Sequence, residues 1–83
     1  MYFSVTDVQP VGDYNLILTF ENGERRRMDM KPYLEQGLFQ ELKDPEMFYS
    51  VRVSFDTIEW ANEADLDPEL LYLNSEPISD PEI

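Results

Sequence analysis

The chain has no cysteine, no histidine and only three glycines in its 83 residues. Each absence removes a class of chemistry. Without cysteine there is no disulfide framework, thiolate nucleophile or zinc-thiolate site, and without histidine there is no imidazole base and no imidazole metal ligand. Gly12, Gly23 and Gly37 are too scattered for a phosphate-cradling loop, and each reads as a turn or cap residue. Bases are scarce as well: 6 Lys and Arg stand against 18 Asp and Glu, for a formal net charge of −12 and a pI near 4.1. That sign opposes DNA, RNA and anionic membranes, which demand a basic footprint. No apolar run approaches the roughly 20 residues of a membrane helix, and Met1-Tyr2-Phe3-Ser4 has neither the basic start nor the apolar stretch of a signal peptide. The expected location is the cytoplasm, with no membrane partner.

What is present belongs to a folding chain. The 42% apolar and 13% aromatic content is too high for a disordered acidic tail, and the length suits one domain with a single modest core. The charge is uneven. Residues 1–42 carry net −3, residues 43–83 carry net −9, and no base follows Arg52. Residues 75–83 combine two prolines, three acids and two serines and read as a disordered acidic tail, leaving residues 1–74 as a single α+β domain.

Strand signals open the chain. Tyr2 to Val8 is rich in β-branched and aromatic residues, and Pro10-Val11-Gly12-Asp13 is turn chemistry. Tyr14, Leu16, Leu18 and Phe20 then alternate onto one face. Beyond Asn22-Gly23, Arg26, Met28 and Met30 share one face and Arg25, Arg27 and Asp29 the other. A two-residue Asn-Gly loop would set Leu18 and Leu16 beside Arg27 and Asp29. A three-residue loop, Glu21-Asn22-Gly23 with Gly23 left-handed, instead pairs Leu18 with Arg26 and Leu16 with Met28, so that the apolar faces coincide. The three-residue loop is the predicted one.

Short helices are predicted next: one at Pro32, ended by a left-handed Gly37; a turn burying Leu38, Phe39 and Leu42; and one begun by Asp44-Pro45-Glu46. Val51, Val53 and Phe55 alternate as a strand, Asp56-Thr57 reads as a turn, and Ile58 and Trp60 alternate on the return. Asp67 as N-cap, Pro68 and the apolar Leu70, Leu71 and Leu73 make a closing two-turn helix. The fold class is α+β: an N-terminal antiparallel β-meander, short helices, a second β-hairpin and a short C-terminal helix.

Three features hold the candidate chemistry. Arg25-Arg26-Arg27 is the one basic cluster, but alternation along a strand sends Arg25 and Arg27 one way and Arg26 the other, so a nucleic-acid-associated regulator is an alternative reading set against simple cross-strand ion pairing. Asn62, Glu63, Asp65, Asp67 and Glu69 concentrate oxygen ligands, which makes a metal- or small-molecule-binding domain, or an enzyme using Asn62, Asp65 and Asp67, a second alternative. The spacing is not that of an EF-hand, and Asp67 already serves as a cap. Serines have no histidine to activate them, so the chain is not expected to be an enzyme and no cofactor is implied. Among the aromatics, Tyr14, Phe20, Phe55 and Trp60 read as core, while Tyr33, Tyr49 and Tyr72 are candidates for an exposed patch.

Three segments together carry a family resemblance: Phe20-Glu21-Asn22-Gly23-Glu24 with Asp29 to Phe39, Phe48-Tyr49-Ser50-Val51, and Ile58 to Tyr72 with its Trp60-Ala61-Asn62-Glu63-Ala64-Asp65-Leu66-Asp67-Pro68-Glu69-Leu70-Leu71-Tyr72 run. They resemble the small bacterial domain-of-unknown-function family 2442 over about Val5 to Tyr72. The family pattern has Pro where Ala61 stands and Gly where Glu63 stands, so the loop after Trp60 is expected to differ locally. The resemblance implies an α+β domain similar to the N-terminal domain of a bacterial protein that carries a helix-turn-helix after it. Members look like one half of small two-gene units. No established activity comes with it, and the chain is expected to lack the helix-turn-helix and to be the sensing or partner-binding half. The leading reading is therefore a small acidic cytoplasmic protein-binding or regulatory module, an antitoxin-like partner of a second small protein being one form of it, with a protein partner or self-association. The candidate interaction surface is Trp60, Asn62, Asp65, Asp67, Tyr72, Tyr33, Arg25 and Arg27.

Overall fold

The computed structural model describes residues 2–78, and the alternation of Leu16, Leu18 and Phe20 organises them. All three are fully buried. They lie on β2 (Asn15–Phe20), which is flanked on one side by β1 (Val5–Val11) and on the other by β3 (Arg25–Asp29). A fourth strand, β7 (Glu76–Pro77), completes an antiparallel sheet of order β1-β2-β3-β7. The predicted three-residue hairpin loop is observed: Leu18 faces Arg26, Leu16 faces Met28, the Phe20 amide donates to the Glu24 carbonyl at 2.9 Å, and Gly23 has φ +87°. Matching of apolar faces fixes this register, because a one-residue slip would turn Met28 into solvent.

The polypeptide then continues in tight turns that contribute Leu34 and Leu42 to the core. The stretches Lys31–Tyr33 and Gly37–Lys43 are 3₁₀ turns, and Gly37 is left-handed as predicted, with φ +47°. Leu42 is buried and Phe39 half-buried, but Leu38 is exposed, contrary to the expectation that this turn buries all three. In a 3₁₀ turn side chains three apart eclipse, which aligns Phe39 with Leu42 and leaves Leu38 off that line. Helix α1 (Pro45–Phe48) starts where Asp44 accepts from the Glu46 amide at 3.2 Å.

A second antiparallel sheet, of order β4-β5-β6, contains β4 (Arg52–Ser54), β5 (Thr57–Glu59) and β6 (Asp65–Leu66). Its β4–β5 hairpin pairs Arg52 with Glu59, Val53 with Ile58 and Ser54 with Thr57. The turn is therefore Phe55-Asp56, one residue earlier than predicted. Phe55 is not a core residue but the tip of the hairpin. Helix α2 (Pro68–Asn74) is capped by Asp67, which accepts from the Glu69 amide at 2.8 Å. Leu71 is its buried residue and Leu73 is exposed. One hydrophobic cluster joins both sheets and the helices, from Val5 through Leu18, Met28, Phe48 and Trp60 to Leu71.

The expectation of a disordered tail from Ser75 is corrected at residues 75–78. Ser75 is buried, Pro77 and Glu76 pair with Arg26 and Arg27, and the Ile78 amide donates to the Arg25 carbonyl at 3.0 Å. Proline and glutamate are poor strand formers, but β3 offers an open edge and Arg26 binds Ser75 directly, which orders a segment that propensity alone would leave free. The rest of the predicted tail, residues 79–83, lies outside the described residues. Ending the chain at Asn74 removes both acceptors that Ser75 presents to Arg26 and is expected to destabilise the domain by about 1–3 kcal/mol in a urea titration. An unchanged midpoint would contradict the ordered strand.

Candidate interaction surface

Alternation on β3 sends Arg25 and Arg27 to solvent and Arg26 toward the core edge, where its side chain is only 12% exposed. The guanidinium is held on all sides. Nε donates to Ser75 Oγ at 2.8 Å, Nη2 to the Ser75 carbonyl at 2.6 Å and Nη1 to Glu24 Oε2, while the Tyr72 ring centroid lies 4.3 Å away. The Tyr72 hydroxyl donates to Glu24 Oε1, and its ring packs edge-on against Phe20 at 5.0 Å and tilted against Phe3 at 5.5 Å. The Tyr72 hydrogen bond, reinforced by Arg26, holds the Glu24 carboxyl below its ordinary range; the same bond from Glu24, with desolvation, pushes the Tyr72 hydroxyl above its own. The C-terminal end of α2 is thereby locked to β3, with Leu73 on its outer side.

The acidic loop is arranged for structure. The Asn62 amide donates to Glu41 Oε1 at 2.9 Å and to the Leu38 carbonyl at 3.3 Å, while its Oδ1 accepts from the Ala64 amide at 3.1 Å. Asp65 is exposed on β6 and Asp67 caps α2. Among the described residues no three acids come together in a set that would hold a metal ion. Beside this loop stands the β4–β5 tip. Phe55 is 99% exposed and has φ +57°. Asp56 next to it anchors the tip twice: its carbonyl accepts from the Val5 amide at 2.9 Å and its carboxylate accepts from the Tyr2 hydroxyl at 3.0 Å. That hydrogen bond, with the nearby charges of Asp56, Asp67 and Glu21, raises the Tyr2 hydroxyl above its ordinary value.

Residues 5–77 match the family described as protein of unknown function (DUF2442). The chain belongs to that family. No curated protein and no solved structure is significantly similar to it. Glu63 sits at φ +72°, a backbone conformation that favours glycine, the residue that the resemblance leads one to expect at this position of a DUF2442 chain.

The DUF2442 fold scatters the residues that sequence reasoning grouped. Trp60, a candidate surface residue, is fully buried, and its indole N–H donates to the Phe48 carbonyl at 3.1 Å. It is a core residue, as its alternation with Ile58 implies. Tyr33 is half-buried with its ring 6.4 Å from Phe39, and Tyr72 belongs to the Arg26 cluster. Arg25 and Arg27 lie on the outer face of the four-stranded sheet and form no ion pair among the described residues; the cross-strand pairing expected of the triplet is not what forms, since Arg26 pairs with Glu24 two residues before it on the same segment and has Leu18 and Pro77 as its cross-strand partners. Asp65 and Asp67 remain near the second hairpin, where sequence reasoning missed the exposed aromatic. A signal was present: pairing Val53 with Ile58 and Arg52 with Glu59 matches both apolarity and charge, and it leaves Phe55-Asp56 as the loop.

Glu24 sets a pH signature. Its carboxyl is lowered in the folded state relative to about 4.3 in the unfolded chain. The stabilisation it brings is therefore complete above that unfolded value and is lost as pH falls through the lower folded one. Replacing Glu24 by Gln is expected to destabilise the domain at pH 6, with the difference from wild type shrinking as urea titrations approach pH 3. A difference independent of pH would contradict the Glu24–Tyr72–Arg26 arrangement.

Proposed function

We propose that this DUF2442 domain is a cytoplasmic protein-binding module with a regulatory role, working by association with a second protein. The observation that carries this reading is Phe55. An aromatic residue in the left-handed region costs about 1–2 kcal/mol, and the first position of a two-residue hairpin loop with positive φ there alone is one that glycine fills best. The ring also forgoes burial worth roughly 1.5–3 kcal/mol. Folding gains nothing from this side chain, whereas a partner with an apolar pocket does. The two hydrogen bonds to Asp56 hold the tip in place before any encounter, which reduces the ordering cost of association. Exposed aromatic anchors on rigid supports are the residues that dominate protein interfaces.

The reading separates stability from binding at one position. Phe55→Gly is expected to raise the melting temperature by several degrees, equivalent to about 1 kcal/mol, because the strain disappears. In affinity capture from the native host, a stoichiometric partner retained by wild type and by Tyr49→Ser is expected to be lost by Phe55→Gly. Full retention of the partner by Phe55→Gly would overturn the role of Phe55.

A further inference from the structure

The tip does not stand alone. The Asp56 carboxylate joins it to Tyr2, and Tyr2 and Phe3 lead on to α2, where a cleft of about 190 Å³ is lined by Tyr2, Phe3, Glu69, Tyr72 and Leu73. A second cleft of similar volume, about 190 Å³, opens at the base of Phe55 beside Thr57, Ile58 and Asp65. Leu73 is 70% exposed, and Tyr2 and Phe3 are also exposed. The charged side chains that line the two clefts, Glu59, Asp65 and Glu69, are all acidic. Asp56, Asp65, Asp67 and Glu69 are all exposed, and no Lys or Arg follows Arg52 in the sequence. Arg26 is taken up inside the Glu24–Ser75 cluster, and Arg52, although its side chain is 60% exposed, pairs with Glu59 at 3.2 Å.

We infer that Phe55, Tyr2, Phe3 and Leu73 form one docking surface for a basic amphipathic segment of another protein, apolar side chains entering the two clefts and Lys or Arg meeting Asp56, Asp67 and Glu69. This rests on the protein-binding reading above and adds the site and the chemistry of the partner. Charge decides among the occupants. A second copy in a two-fold contact would set these carboxylates against themselves, at a cost that a net charge of −12 on each copy only adds to. Nucleic acid and anionic lipid carry the same sign as the rim. A cationic segment gains at every rim position, and its apolar residues cover the side chains that this surface leaves wet. Steering by such a field makes the association fast and salt-sensitive.

The test is an amide-resonance titration of the full chain with three probes: an amphipathic Leu-Lys peptide, the same peptide with Glu in place of Lys, and vesicles of anionic lipid. The Leu-Lys peptide is expected to shift Tyr2, Phe3, Phe55 and Leu73, to bind at least about tenfold more weakly at 300 than at 50 mM salt, and to lose about tenfold in affinity in a Phe55→Ser/Leu73→Ser double variant. Shifts of the same residues by the Leu-Glu peptide with equal affinity would overturn the basic chemistry while leaving a protein-binding surface. Shifts spread over acidic residues without Phe55 or Leu73 would overturn the site. Binding to the vesicles, or a concentration-dependent dimer through these residues, would replace the partner with a membrane or a second copy and overturn the inference. The capture experiment with Phe55→Gly tests the underlying protein-binding reading separately, since it makes no assumption about the partner's charge.

Discussion

The Arg26 guanidinium ties together parts of the chain that hydrophobic packing alone would leave independent. It comes from the middle of β3, lies under the Tyr72 ring of α2, and takes both the hydroxyl and the carbonyl of Ser75, the residue between α2 and β7. Desolvating a guanidinium is costly unless nearly every donor is met, and here a carboxylate, a hydroxyl, a carbonyl and an aromatic face meet it. The consequence runs outward. With Tyr72 fixed, its ring carries Phe3 on one side and Phe20 on the other, and the exposed face of α2 keeps a constant orientation toward the N-terminal residues. The surface proposed for a partner is the outer side of this internal clamp.

A second constraint acts at the β4–β5 tip. Glycine would relieve the backbone at position 55, and a polar side chain would suit its exposure, yet the position holds phenylalanine. On the proposed reading stability and association pull in opposite directions there, a conflict usual where a surface is shaped for a partner and not for the fold. The negative charge has a divided role. Asp44 and Asp67 cap helices, and Glu24 anchors Arg26. Asp65 and Glu69, which have no such structural partner among the described residues, join Asp56 and Asp67 in giving the inferred docking surface its sign.

Much of the fold is legible in the sequence where local rules agree with packing. Leu16, Leu18 and Phe20 alternate cleanly, and the match of apolar faces selects the three-residue loop over the Asn-Gly pair. Asp44-Pro45 and Asp67-Pro68 mark helix starts that are both present. Legibility fails where long-range contacts decide. Nothing local tells that Ser75-Glu76-Pro77 will add a strand, because the open edge of β3 and the Arg26 donors lie some fifty residues away. The β4–β5 turn lies one residue before the position that alternation predicts, and in a three-residue strand that single step moves Phe55 from the core to the tip. Of the candidate surface, Asp65 and Tyr72 line the two clefts of the inferred docking site and Asp67 lies on its rim, whereas Trp60 is interior and Arg25 and Arg27 occupy the outer sheet face. Residue type alone does not separate a core aromatic from a presented one; the register of a short hairpin does.

Hydroxyl-radical footprinting of the domain with and without its native partner tests the central claim most directly, because it reports side-chain exposure at each aromatic and leucine. In the free domain Phe55 and Leu73 are predicted to be strongly labelled and Trp60 protected; in the complex Phe55 and Leu73 become protected while Leu38 and Tyr49 stay as they were. A complex that leaves Phe55 as reactive as in the free domain would contradict the account.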